Sequence, residues 1–311
     1  MHRERIPVYV MTGFLGSGKS TLLARWLKEA PFSGAALIVN EIGEVGIDHA
    51  TLGFSGDASV LLADACVCCS GLPALNEALE QLFWARLHRS IARFEMVVIE
   101  TTGLADPGPL VASLSLNPLV KERYRIAGTF TALAANHALD TLSRFAEASA
   151  QLRGADAVIV TKTDLVGTQE LAAVEARLSG ARIARSAHAS LALRDALALL
   201  AEPAPRAERA VAPPSPPSPP FSRPRSHDAI TRFIAIEATS DIDALHARVS
   251  ELKARYGDAL LRLKGIVRLK DCVAVVQFAR GDARAQITAA PADISDVKSG
   301  LTLIVKPGAA R

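Results

Sequence analysis

The chain has 311 residues, half of them hydrophobic, with 22% charged residues and a formal net charge of +3. That length suits two domains with substantial cores, and no apolar run approaches the roughly 18 residues that a membrane helix needs. So mild a charge gives no footing for a nucleic-acid partner, and four cysteines, three of them packed into Cys66-Val67-Cys68-Cys69, are not a disulfide framework. Met1-His2-Arg3-Glu4-Arg5 leads straight into an apolar strand and resembles no secretory leader. The expectation is a cytoplasmic protein with neither membrane nor nucleic acid among its partners.

In chain order, Val8 to Met11 predicts a buried strand and Lys19 to Lys28 a helix. Between them, Gly13-Phe14-Leu15-Gly16-Ser17-Gly18-Lys19-Ser20 fits the G-x-x-x-x-G-K-[ST] phosphate loop at every position. Glycines open the backbone so that its N–H groups form an anion cradle at the start of the helix. Gly13, Gly16, Ser17, Gly18, Lys19, Ser20 and Thr21 are therefore the expected nucleotide contacts. Lys19 reaches the outer phosphates, and the Ser20 hydroxyl is placed to ligate Mg²⁺.

Ala36 to Val39 reads as a second strand, Pro73 to Arg93 as a long helix, and Met96 to Ile99 as a third strand. That third strand delivers Glu100 at its tip, where a carboxylate can hold Mg²⁺ through water. Gly103, in Thr101-Thr102-Gly103, can then bring a backbone N–H to the terminal phosphate. Ala157 to Val160 is another strand, and it ends in Thr161-Lys162-Thr163-Asp164. This is the [NT]-K-x-D form of a guanine-reading turn. The Asp164 carboxylate accepts the ring N1–H and the exocyclic amino group, and the Lys162 stem covers the base. Thr161 stands where Asn is usual, which weakens the guanine preference without abolishing it. Lys19, Ser20 and Glu100 form the expected catalytic group.

Apolar strands separated by helices imply α/β architecture with a parallel sheet covered on both faces. Ligands of such sheets sit at the carboxyl ends of the strands, and all of these motifs fall there. The expected organisation is a phosphate-loop GTPase domain over residues 1–202, a Pro/Ser-rich linker over 203–228 and a small α+β domain over 229–311. Pro213 to Pro220 contains six prolines in eight residues and predicts an extended spacer.

In the last unit, Phe233 to Ile236, Leu260 to Leu269, Val273 to Phe278 and Leu301 to Val305 read as strands. Leu245, Val249, Leu252 and Tyr256 recur at helical spacing. Arg262, Lys264, Arg268 and Lys270 alternate with apolar residues, the pattern of a solvated sheet face. Cys272 reads as core, and His88, His137, His188 and His246 as scattered surface positions.

These residues converge on a family. The chain resembles the CobW-type metal-chaperone GTPases, which include cobalamin-synthesis proteins, nitrile hydratase activators and zinc-transfer proteins. Gly13 to Leu23 is similar to the family's first signature, and Val39 to His49 to its switch segment. Cys66-Val67-Cys68-Cys69 is similar to its C-x-C-C hallmark, and Glu100 to Pro107 to its second switch region. Leu261-Arg262-Leu263-Lys264-Gly265-Ile266 resembles a signature of its C-terminal domain. The resemblance implies GTP binding, slow hydrolysis and binding of Zn²⁺ or Co²⁺ by Cys66, Cys68 and Cys69, with Glu41 close by. It also implies a client protein docked by the C-terminal domain.

Thiolates select borderline ions such as Zn²⁺ and Co²⁺, and a tetrahedral shell needs four donors. The cluster offers three at most, so Glu41, His49, a water or a client's ligand would complete it. An incomplete shell suits an ion that is handed on. The chain departs from many relatives in lacking a histidine-rich stretch, in Thr161, and in having no Asp near Ala132 to Asn136. The implied function is GTP-dependent metal delivery. Alternatives are a non-catalytic metal-binding or redox-sensing module that uses nucleotide as a structural ligand, and a small-molecule kinase.

Overall fold

A computed structural model describes residues 5–40, 59–62, 72–201, 230–236, 241–270, 272–280, 282, 284–289 and 299–306. Seven strands make the first sheet: β1 (Ile6–Gly13), β2 (Ala36–Asn40), β3 (Ser59–Leu62), β4 (Val97–Glu100), β5 (Tyr124–Ala134), β6 (Ala157–Thr161) and β7 (Ile183–Ser186). Their spatial order is β3-β2-β4-β1-β5-β6-β7, and each pairing is parallel.

The two-sided burial of this sheet explains why its strands are apolar without alternation. In β4, Val97 and Ile99 pack into a core with Leu75 and Leu79 of the helix Leu72–Leu87. Val98, between them, faces the opposite core, where Leu22, Leu23 and Trp26 of helix α1 (Lys19–Trp26) lie. β1 sits between β4 and β5, with β2, β3 and β4 all on one side of it and β5, β6 and β7 on the other. The carboxyl ends of β1 and β4 therefore border the crevice where open α/β sheets take ligands.

The second sheet is antiparallel, in the order β11-β10-β9-β12-β8. It comprises β8 (Ile230–Ala235), β9 (Leu260–Arg268), β10 (Val273–Ala279), β11 (Gln286–Ala289) and β12 (Gly300–Val305). The helix Ile242–Tyr256 starts at Asp241, whose carboxylate accepts the Ala244 amide at 2.7 Å. Leu245, Val249, Leu252 and Tyr256 pack with Leu263, Val276 and Leu303 of the sheet. The unit is α+β.

The two sheets are not separate bodies joined by a tether alone. Leu261 and Ile304 of the second sheet join a core cluster with Leu133 and Val160 of the first sheet and with Phe14 and Phe145 from the segments beside it. Arg280 pairs with Asp140 at 3.0 Å and lies over the Phe145 ring, as does Lys306.

Some elements differ from the sequence expectation. The long helix stops at Leu87, and Arg89 turns left-handed at φ 57°. The eleven-residue β5 escapes apolar pattern reading because threonines interrupt it. Thr129 and Thr131 are nevertheless buried, and the Thr131 hydroxyl donates to the Gln151 carbonyl at 3.0 Å. Cys272 is exposed, not core. The linker 203–228 lies outside the described residues. Among those residues, no helix is long and apolar enough to cross a membrane.

Candidate functional site

The phosphate loop leaves β1 and enters α1 through two left-handed glycines, Gly16 at φ 72° and Gly18 at φ 84°. Gly18 caps α1 with no side-chain hydrogen bond, the arrangement that offers first-turn amides to an anion. Lys19 is 5% exposed, and its ammonium donates to the Phe14 carbonyl at 3.3 Å, which holds it beneath the loop.

Glu100 reaches the same point from β4. Parallel pairing sets Met11 beside Glu100, and the Thr101 amide donates to the Met11 carbonyl at 3.0 Å. The Ser20 hydroxyl donates to Glu100 Oε1 at 2.6 Å, and Glu100 is buried. A hydroxyl and a carboxylate in contact are hard oxygen donors of the kind Mg²⁺ prefers. The donor set fits that ion.

Beyond Glu100, the chain passes close under the loop. A Cβ on Gly103 would lie 2.8 Å from the Leu15 backbone nitrogen, so only glycine permits this approach. Gln151, itself 1% exposed, donates to the carbonyls of Gly103 at 3.1 Å and Ala105 at 3.0 Å. Asp106 then accepts the Gly108 amide at 2.8 Å and starts the helix Pro107–Leu116. The segment 100–106 is thus pinned at both ends and in its middle.

The third component follows β6. The Thr161 hydroxyl donates to the Ser17 carbonyl at 2.6 Å, tying this turn to the phosphate loop. Lys162 is left-handed at φ 55° and forms an ion pair with Asp282 of the second sheet at 3.2 Å. Asp164 accepts the His188 amide at 3.0 Å, and the His188 ring stands 3.3 Å away. The amide bond holds the Asp164 carboxyl below its usual range, outweighing the opposing effect of burial.

Gly13, Gly16, Ser17, Gly18, Lys19, Ser20, Thr21, Glu100, Gly103, Thr161, Lys162 and Asp164 therefore all lie along the carboxyl edge of one sheet. Glu41, Asp48, His49, Cys66, Cys68 and Cys69 lie outside the described residues. Among the described residues, no cluster of His, Cys, Asp and Glu could hold a metal.

Sequence reasoning missed four contributors. Gln151 sits in a helix with no motif around it. His188 follows β7, a strand too short and polar to stand out. Lys264, expected on a solvated face, is 6% exposed and lines a cavity with the phosphate loop. Arg262, two residues away on the same face, lines it too. Arg262 and Lys264 do share one face of β9, but only the second sheet's seat on the first decides which medium that face meets.

A family model described as the CobW/HypB/UreG nucleotide-binding domain matches residues 7–188. The chain belongs to the CobW/HypB/UreG family. Relatives similar to it include the zinc chaperone YjiA of Escherichia coli, 37% identical over 165 residues, which are 53% of this chain and 52% of that protein. The zinc-regulated GTPase metalloprotein activator 1 of Schizosaccharomyces pombe is 31% identical over 55% of this chain and 42% of its own. The zinc chaperone CobW of Pseudomonas aeruginosa is 32% identical over 57% and 54%. The chain spans about half the length of these CobW-family relatives in the matches. A crystal structure of zinc-bound YjiA GTPase from E. coli superposes over 98% of this chain and 95% of that one, with a TM-score of 0.50 and 22% identity. That likeness shows that the two chains share a fold across both sheets.

Proposed function

We propose that this protein is a GTPase that binds a transition metal, zinc before cobalt, and delivers it to a client. The observation that carries the nucleotide half is the 2.6 Å contact between Ser20 and Glu100, at the edge where Lys19 and the Thr161–Asp164 turn also meet. Relatives named zinc chaperones and zinc-regulated activators support the metal half.

In this reading, Gly13 to Thr21 cradle the phosphates and Asp164 reads the guanine edge. Lys19 offsets the charge that develops as water attacks the γ-phosphorus, a reaction that depends on positioning and electrostatics. Ser20 and Glu100 would hold Mg²⁺, which when bound neutralises charge between the β- and γ-phosphates. Gly103 lies against Leu15 of the loop, which supports a role for its amide in sensing the terminal phosphate. Closure of the 41–49 and 100–106 segments around GTP would order Cys66, Cys68 and Cys69, with Glu41, about the metal. Hydrolysis would release those segments and let the ion pass to a client docked by the second domain, the usual device of γ-phosphate-ordered switches.

The test is zinc affinity with and without a non-hydrolysable GTP analogue, alongside GTP turnover with Mg²⁺. Tighter zinc binding in the analogue complex is expected, lost when Cys66, Cys68 and Cys69 are all changed to Ser. Turnover should vanish in Lys19→Ala. Equal zinc affinity in both nucleotide states would sink the coupling.

A further inference from the structure

A cavity of about 280 Å³ lies between the two sheets. Gly16, Gly18 and Ser20 line one side of it, and Gln277 and Gln286 of the second sheet line the far wall. Lys162, from the turn after β6, and Asp282, which follows β10, also line it and meet each other. The Lys162 ammonium donates to Asp282 Oδ1 at 3.2 Å, and each side chain is 26% exposed.

The carboxylate is set by its own backbone. Asp282 closes a tight turn at the end of β10: its amide donates to the Ala279 carbonyl at 2.9 Å, and its Oδ2 accepts the Ala279 amide at 2.9 Å. That turn rests on the phosphate loop, because a Cβ on Gly16 would come within 2.4 Å of the Ala279 Cβ. Oδ1 is thereby aimed at Lys162 from a rigid base.

Lys162 is held against its backbone preference. Its φ of 55° puts a residue with a Cβ in the left-handed region, a conformation that persists where surrounding contacts over-determine it. The neighbouring Thr161 hydroxyl donates to the Ser17 carbonyl at 2.6 Å, and the Lys162 carbonyl accepts the Leu165 amide at 3.1 Å. Those bonds fix the main chain. Among the described residues, Asp282 is what the ammonium donates to at the far end of the side chain. A lysine stem has several rotatable bonds, and ordering it against a ligand costs conformational entropy. A stem anchored at its tip has lost that freedom before a ligand arrives, and such preorganisation shows as affinity.

We propose that Asp282 is a positioning residue of the guanine-nucleotide site, anchoring Lys162 so that its stem is preset to cover the base. This rests on the guanine-nucleotide reading given above. It makes the seat of the second sheet part of base binding. By linkage, whatever lifts that sheet from the turn loosens the base, and the bound base tightens the seat.

The experiment measures, on the full chain, Kd for a ribose-labelled fluorescent GDP and, by its displacement, for inorganic pyrophosphate, which offers phosphates without a base. The proteins are wild type, Asp282→Asn, Lys162→Ala, the double variant and Lys19→Ala. Asparagine keeps an oxygen for the Ala279 amide, so Asp282→Asn removes the charge and leaves the turn its bond. It should raise Kd for GDP at least about five-fold and shift that for pyrophosphate by less than about two-fold, since only the base has lost its cover. In a Lys162→Ala background the same change should cost nothing further, because its effect runs through that side chain. The inference is overturned by a GDP Kd for Asp282→Asn within about two-fold of wild type, by an equal loss for GDP and pyrophosphate, or by a full added loss in the double variant. If instead wild type binds no GDP, or Lys19→Ala binds it as tightly as wild type, the nucleotide reading itself fails and takes this inference with it.

Discussion

The Thr161 hydroxyl donates a 2.6 Å hydrogen bond to the carbonyl of Ser17, joining the end of β6 to the phosphate loop. The threonine in the position usual for asparagine is thus committed to the loop, and in the proposed site base discrimination would fall to Asp164. Thr161→Val should expose the cost of a buried carbonyl without a donor, about 1–3 kcal/mol of stability. Affinity for guanine and adenine nucleotides should fall together, with their ratio unchanged, while Thr161→Ser stays near wild type. A selective loss of guanine binding in Thr161→Val would assign the hydroxyl to the base instead.

Ser20 and Glu100 touch at 2.6 Å. If that contact marks the Mg²⁺ position, Ser20→Ala and Glu100→Gln should each remove the dependence of GTP affinity on Mg²⁺. Removing Mg²⁺ with a chelator should then weaken binding in wild type by at least roughly ten-fold and barely affect either variant, since the ion's share is electrostatic. Equal chelator sensitivity in all three proteins would place the ion elsewhere.

Gln151 donates to both Gly103 and Ala105 from a site that is 1% exposed. Gln151→Leu keeps the volume and strands two buried carbonyls, so a stability loss of about 2–4 kcal/mol is expected from the two groups together. GTP turnover should fall further than GDP affinity, because in the proposed site the pinned segment would face the terminal phosphate and not the base. A variant that melts early but hydrolyses normally would make Gln151 a purely structural residue.

The nucleotide edge was legible because each of its parts is local in sequence. Gly13 to Ser20, Val97 to Glu100 and Val158 to Asp164 each combine an apolar strand with polar residues at its tip, and parallel topology alone brings such tips together. The far wall was illegible for the opposite reason. Nothing in the alternation around Lys264 distinguishes a face meeting water from a face meeting another sheet. Only non-local contacts, Leu261 and Ile304 in the core of the first sheet and Asp282 on Lys162, settle that question. Gln151 and β5 were hidden likewise, since the Gln151 amide nitrogen and the Thr131 hydroxyl bond to partners distant in the chain.

The Asp164 carboxylate lies below its usual value of 3.8, first because the His188 amide donates to it. A depressed folded-state pKa means that the charged form is favoured by folding, so the stabilisation is complete above that ordinary value. It is lost as pH falls through the lower, folded-state value. Asp164→Asn should therefore melt below wild type by a constant margin between about pH 6 and 5 in nucleotide-free protein. The margin should shrink as the pH is taken from about 4 toward 3. The exposed His188 ring adds only a screened attraction, so His188→Ala, which keeps the amide, should preserve most of the margin. A margin that persists unchanged at pH 3, or one abolished by His188→Ala at pH 5, would show that the backbone bond is not what holds this carboxylate.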